Sequence, residues 1–143
     1  MGGGGSKFTI EPTSPYFLHP SEGPGMLITA VVFDGKNYDL CEKAVTTTLL
    51  AKNKLGFIDE TLRKPTPKDD NGKAKLQAWT MVNSMVSSWL INVIDLKLRT
   101  SVAYVETAEG MWQNLKRQYA VANTLRIPQL KSKVASCKED SWS

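Results

Sequence analysis

The sequence contains few of the residues that build metal sites, disulfide frameworks and most catalytic centres. Among its 143 residues are two cysteines, Cys41 and Cys137, and one histidine, His19. Two distant cysteines do not form the disulfide framework of a small secreted domain, and with one histidine they cannot supply the ligands of a closed zinc site. We therefore expect reduced thiols, no metal, no cofactor and a cytoplasmic location.

Long apolar runs are absent as well. No segment of the sequence approaches the roughly 20 residues of a membrane-spanning helix. Residues 1–6 are glycine-rich and do not form the charged and then apolar pattern of a signal peptide. We expect no contact with a membrane, and we interpret residues 2–6 as a flexible linker, native or added.

The few groups that could carry chemistry are poorly placed for it. His19 lies between Leu18 and Pro20 in a proline-rich segment, where no serine–histidine–aspartate or cysteine–histidine set is evident. Asp69 and Asp70 are neighbours on a polar loop, which does not hold two carboxylates face to face. The sequence predicts no catalytic residue and no small-molecule substrate.

Apolar residues recur every three or four positions from Tyr38 onward, which is the spacing of amphipathic α-helices. Asn37, Asp95 and Thr107 precede apolar stripes and are candidate N-caps. Pro128 is compatible only with the first turn of the last helix. The predicted fold class is all-α, a compact bundle of about five helices near 38–53, 74–94, 96–105, 107–120 and 126–138.

Three of the four tryptophans fall on the same helix faces as valine, leucine and isoleucine. Aromatic residues at helical spacing more often fill a core than stack on bases. The residues that we assign to the structural core are Tyr38, Val45, Leu49, Trp79, Val86, Trp89, Leu90, Trp112, Leu115 and Leu130.

The first part of the chain is not predicted to be helical. Residues 1–25 contain four prolines and many glycines, so we expect a flexible, extended arm that Tyr16, Phe17 and Leu18 could anchor. Residues 26–33 are apolar and β-branched up to a turn at Asp34 and Gly35, which predicts a short extended segment or β-strand. Since an isolated strand is not stable by itself, this segment either packs as extended chain on the helical core or pairs with another strand, as in a hairpin with the arm near 16–33. The predicted domains are the arm 1–25, a helical domain 26–138 and a frayed tail 139–143.

The net charge of +4 is a mild basic bias that permits weak contact with nucleic acid. The lysines and arginines are scattered and form no recognised motif, so a solvated surface is the simpler interpretation. The residues that could touch phosphates are Lys116, Arg117, Arg126, Lys131, Lys133 and Lys138.

A series of short strings spans the chain from the arm to the last predicted helix. They are YFLHPSEGPG at 16–25, DGKNY at 34–38, AKNKLGFID at 51–59, NSMV at 83–86, SWL at 88–90, SVAYVETA at 101–108, MW at 111–112, RI at 126–127 and QLK at 129–131. In this order they resemble the capsid N-terminal-lobe region of the Gag polypeptides of plant copia-type LTR retrotransposons. Cys41 and Pro128 depart from that pattern, which normally has tryptophan at the first position and histidine or tyrosine at the second.

The resemblance implies a helical capsid lobe that makes Gag–Gag contacts and has no catalytic residues. Family members build a virus-like particle around the RNA of the element. We therefore expect a structural, non-enzymatic domain that associates with itself or with other Gag chains and contacts RNA only weakly. The alternatives are a host-retained, Gag-derived module that binds another protein, and a weak RNA-binding domain that uses the basic residues. Among these interpretations of the function, an enzymatic activity is the least favoured.

Overall fold

Three α-helices carry the fold in the computed structural model, which describes residues 8–120. They are α1, Tyr38–Ala51; α2, Asp70–Val93; and α3, Ala108–Leu115. Two 3₁₀-helices, Leu55–Phe57 and Leu96–Ser101, connect them, and a π-helical segment, Lys116–Ala120, follows α3. The all-α prediction is confirmed. Residues 8–120 contain about four helices, counting the three α-helices and the longer 3₁₀-helix, whereas about five were predicted for the chain. The predicted helix 126–138 and tail 139–143 lie outside the described residues.

The helix α2 begins at Asp70, earlier than the predicted start near 74. Asp69 adopts an extended backbone, and its carboxylate accepts the N–H of Gly72 at 2.6 Å. This is an N-cap, which satisfies one of the free amides of the first helical turn. Asn71 and Gly72 favour a loop on local grounds, but the cap extends the helix over them.

The third predicted helix, 96–105, is shorter than expected and of the 3₁₀ type, Leu96–Ser101. Asp95 occupies its N-cap position without a side-chain hydrogen bond to the helix. Thr100 and Ser101 are poor helix formers, so nothing favours extension of the helix beyond them. Thr107 does cap α3, since its hydroxyl accepts the N–H of Gly110 at 2.9 Å.

The predicted β-strand near 16–33 does not form, and the structure has no strand in residues 8–120. Within the described residues, bridge pairing of the backbone occurs at Phe33, which makes a parallel bridge with Ile94. The Phe33 N–H donates to the Val93 carbonyl at 2.6 Å, and the Asp95 N–H donates to the Phe33 carbonyl at 2.9 Å. An extended segment without a neighbouring strand gains no ladder. Its apolar residues pack against the helical core at Met26, Ile28 and Val31, which is the other arrangement predicted for this segment.

The core lies around α2, whose Trp89 is fully buried. The buried Asn83 of this helix joins it to α3. Its amide nitrogen donates to the Glu106 carbonyl at 3.2 Å, and its oxygen accepts the Ala108 N–H at 2.9 Å. A buried amide is costly unless both of its ends are paired, so these bonds fix the start of α3 against α2.

Residues 8–25 of the arm lie against the helices. Tyr16 is buried, and its ring meets the rings of Phe8 and Phe57 edge-on, with centroid distances of 6.0 and 6.1 Å. The side-chain amide of Asn53 donates to the Thr13 carbonyl at 2.9 Å. These contacts place the arm beside α1 and the first 3₁₀-helix, while the division of the chain into domains stays a prediction.

Candidate functional site

Polar contacts hold the arm to the helices at Glu22. Its carboxylate receives Lys52 Nζ at 2.9 Å and the His19 N–H at 3.0 Å. Burial alone would raise the pKa of Glu22, but these two hydrogen bonds and the positive charges of Lys52 and Lys54 outweigh it and lower the pKa. The carboxylate therefore stays ionised and bound well below neutral pH.

Two lysines that follow α1, Lys52 and Lys54, provide the positive charges near Glu22. Lys54 is buried, and its Nζ donates to the Lys52 carbonyl at 3.2 Å. Burial lowers the pKa of Lys54, the negative charge of Glu22 opposes this effect, and the positive charge of Lys52 adds to it. Lys52 Nζ also lies 5.3 Å from the ring centroid of Trp89, within range of a cation–π interaction.

The turn after Glu22 is bonded to α2. The indole N–H of Trp89 donates to the Gly23 carbonyl at 2.8 Å. The side-chain amide of Asn92 donates to the carbonyls of Pro24 at 2.8 Å and of Met26 at 3.2 Å. We call Glu22, Lys52, Lys54, Trp89 and Asn92 the arm clamp. Its polar groups hold the arm and are not presented to a ligand.

The clamped arm forms one wall of an apolar groove of about 250 Å³. The arm groove, as we name it, has α2 as its other wall, and it is lined by Ile10, Tyr16, Phe17, Leu18, Ala78, Met81 and Val82. Met81 is 59% exposed and Ile10 41% exposed. With no charged group in its lining, the groove is suited to an apolar side chain and not to acid–base chemistry.

A second uncovered apolar feature lies on α1. Leu40 is 60% exposed and Leu50 66% exposed, although Tyr38, Cys41 and Leu49 of the same helix are buried. Leucines that are exposed singly are common on protein surfaces, whereas an apolar groove is a feature that contacts with other macromolecules often use.

Side chains that could bind a metal are not brought together in residues 8–120. No group of three or more His, Cys, Asp and Glu side chains that could hold a metal is found there. His19 is exposed, and its Nδ1 lies 2.8 Å from Ser21 Oγ, a contact inside a short turn. Cys41 is a free, buried thiol. Burial and the negative charge of Asp34 raise its pKa to about 11, so it stays protonated and unreactive at neutral pH.

Nine of the ten residues assigned to the core from the sequence are buried: Tyr38, Val45, Leu49, Trp79, Val86, Trp89, Leu90, Trp112 and Leu115. Leu130 lies outside the described residues. Of the six basic residues proposed to touch phosphates, Lys116 and Arg117 are exposed on the π-helical segment, and Arg126, Lys131, Lys133 and Lys138 lie outside. RNA contact therefore stays a prediction.

The arm clamp and the arm groove were not predicted from the sequence. Both combine side chains far apart in the chain, such as Glu22 with Lys52 and Ile10 with Met81. The sequence indicated only that Tyr16, Phe17 and Leu18 could anchor the arm. The structure buries Tyr16 and places all three residues in the lining of the groove.

Comparison with protein families gives a match to part of the chain. Residues 19–66 match the model of the family described as Gag-polypeptide of LTR copia-type. The matched segment contains Glu22 of the arm clamp, all of α1 and both clamp lysines. Comparisons with curated proteins and with solved structures found no match. In residues 8–120, no helix has the length and apolar content needed to cross a membrane. The resemblance to the Gag polypeptides of copia-type LTR elements is thus confirmed over residues 19–66, about a third of the chain.

Proposed function

We propose that this chain is a capsid-like structural domain of a copia-type retrotransposon Gag polypeptide, which associates with copies of itself and performs no catalysis. The observation that carries the proposal is the family match over residues 19–66. That match supports a structural Gag role in general. Self-association, and assembly into a particle, are the steps that we add.

Two structural observations support a structural role rather than binding of a small molecule. The tryptophans Trp79, Trp89 and Trp112 are buried, so their rings are used for packing of the core and are not offered to a small molecule. The surface nevertheless keeps an apolar groove and exposed leucines on α1. A surface of this kind makes contacts that are weak singly and gain strength by repetition in a shell.

The test is the molar mass of the full 143-residue chain, measured by light scattering across a wide range of concentration. We expect the mass to rise from that of one chain of 15.8 kDa towards higher multiples, because weak contacts fill by mass action. If the contact is mainly apolar, lower salt should change only modestly the protein concentration at which half of the chains have associated. A mass that stays at one chain at millimolar concentration would reject the proposal.

A further inference from the structure

We propose that two copies of this chain exchange their arms, so that the arm of each copy is held by the helices of the other. The inference rests on the proposed self-association and names the contact that joins the first two chains. The structure itself fixes the occupant of the receiving surface, because residues 8–25 already lie on the helices of their own chain. An exchanged arm makes these same contacts with a second copy and needs no new surface.

The contacts that hold the arm can form equally well between two chains. Side-chain N–H groups of Asn53, Trp89 and Asn92 donate to main-chain carbonyls of the arm. The ion pair of Glu22 with Lys52 joins positions 30 residues apart. Each of these contacts links groups that are distant in sequence, so it depends on where the arm lies and not on which copy the arm belongs to.

The segment that connects the arm to the helical core is longer than its path requires. At one end the Met26 carbonyl accepts the side-chain amide of Asn92 at 3.2 Å, and at the other the Phe33 N–H donates to the Val93 carbonyl at 2.6 Å. Asn92 and Val93 are adjacent on α2, so the segment turns back on itself, with a bend near its middle. A fully extended chain of this length spans about 23 Å. Residues 27–32, which we call the hinge, can therefore carry the arm to a neighbouring copy.

The closed shape of the hinge conflicts with its own sequence. The string LITAVV at 27–32 is uncharged and mostly β-branched, which favours a strand. In the single chain it turns instead, and the Val31 N–H donates to Thr29 Oγ1 at 3.2 Å. Among residues 8–120, the main-chain N–H groups of 27–30 find no hydrogen-bond partner. Leu27 is 56% exposed and Val32 42% exposed, so the closed hinge leaves both its backbone and its apolar side chains unsatisfied.

Arm exchange resolves this conflict. A reciprocal exchange brings the two hinges side by side in opposite directions about the two-fold axis of the dimer. There they can pair as short antiparallel strands, which supplies partners for the free N–H groups. Leu27 and Val32 gain apolar neighbours across the pair, and no like charges meet, since the hinge has no charged residue. Ile28 and Val31 give up part of their packing on the core, and the new pairing offsets that loss.

The first experiment divides the clamp ion pair between two chains. In Glu22→Lys and in Lys52→Glu, like charges meet at the clamp whether the arm stays on its own helices or moves to an identical copy. Each variant alone should therefore have a released arm and remain monomeric. In an equimolar mixture, exchange joins the new lysine of one variant to the new glutamate of the other, and the unmodified Glu22 to the unmodified Lys52. Sedimentation equilibrium should show a heterodimer with a dissociation constant at least about tenfold below that of either variant alone.

Glu60→Lys and Arg63→Glu are the matched controls for this mixture. Glu60 and Arg63 form an ion pair at 3.0 Å within one short loop, and an exchange of arms does not separate them. The two control variants should associate like the unmodified chain, both singly and when mixed. Circular dichroism on the clamp and control variants checks that their helices are intact.

The second experiment changes the balance between the closed and the extended hinge. Thr29→Val removes the hydroxyl that holds the turn and favours a strand, so it should strengthen association by about threefold or more. Replacing Thr29 by asparagine and Ala30 by glycine together favours the turn and should weaken association about tenfold. Thr100→Val, the same substitution at an exposed threonine outside the hinge, should leave association unchanged.

The outcomes separate this inference from the proposed function. If the unmodified chain stays monomeric at every concentration, self-association fails and arm exchange fails with it. If it associates but the mixed clamp variants do not, arm exchange is rejected and self-association through another surface stands. Should a clamp variant lose its helices, the hinge variants decide: equal association of Thr29→Val and the asparagine–glycine variant rejects the exchange.

Discussion

At the scale of single residues, Glu22 shows how one side chain joins parts of the chain that are distant in sequence. It lies in a turn of the arm, and its partner Lys52 follows α1, 30 positions away. The Glu22 side chain is only 11% exposed, so water screens the pair less than it would a surface ion pair. The carboxylate in this setting stabilises the fold only as long as it remains ionised.

Replacing Glu22 by glutamine should lower stability at neutral pH by about 1 to 2 kcal/mol, because charge-assisted hydrogen bonds become neutral ones. The folded pKa of Glu22 lies below the unfolded value of 4.5. Its contribution is therefore complete above that value and is lost as the pH falls through the folded pKa. Urea unfolding of Glu22→Gln and of the unmodified chain between pH 7 and pH 3 measures this effect. The difference between their free energies of unfolding should become smaller at acid pH.

Glu106→Gln serves as the control, since the Glu106 side chain is exposed. It should change stability by less than about 0.5 kcal/mol at neutral pH. If the free energies of unfolding of Glu22→Gln and the unmodified chain differ by the same amount at pH 7 and pH 3, loss of the carboxylate charge is not the cause of the difference.

At the scale of helices, the first turn of α2 depends on the cap at Asp69. Asp69→Ala should destabilise the protein by about 1 kcal/mol, because the Gly72 N–H loses its acceptor. Asp69→Asn keeps an oxygen in the same place and should retain most of that stability. The free energy of unfolding in urea measures both. If the two variants lose the same stability, the cap does not hold the start of α2.

Helix positions were predictable from the sequence because apolar spacing and cap residues act locally. The stripes of α1 and α2, and the Thr107 cap of α3, follow from neighbours within a few residues. The start of α2 was misplaced because Asn71 and Gly72 favour turns by themselves, while the Asp69 cap overrides them. The pairing of Phe33 with Ile94 and both walls of the arm groove depend on tertiary contacts, which no local pattern encodes.

At the scale of the whole molecule, the arm groove and the arm clamp are parts of one structure. One wall of the groove is the arm, through Phe17 and Leu18, and the clamp begins at the adjacent His19 and Glu22. The clamp holds the end of that wall against α2, so we expect it to help the groove keep its shape. A partner that docks in the groove therefore binds a surface that has already been ordered.

Weakening the clamp should therefore weaken association, although Glu22 lies outside the groove. At neutral pH, and well below its unfolding temperature, Glu22→Gln should raise the dissociation constant for self-association by about threefold or more, because docking must then also order the arm. Sedimentation equilibrium measures this constant. Glu106→Gln is again the matched control. If Glu22→Gln is less stable yet associates as tightly as the unmodified chain, the clamp stabilises the fold without shaping the groove, and the docking surface lies elsewhere.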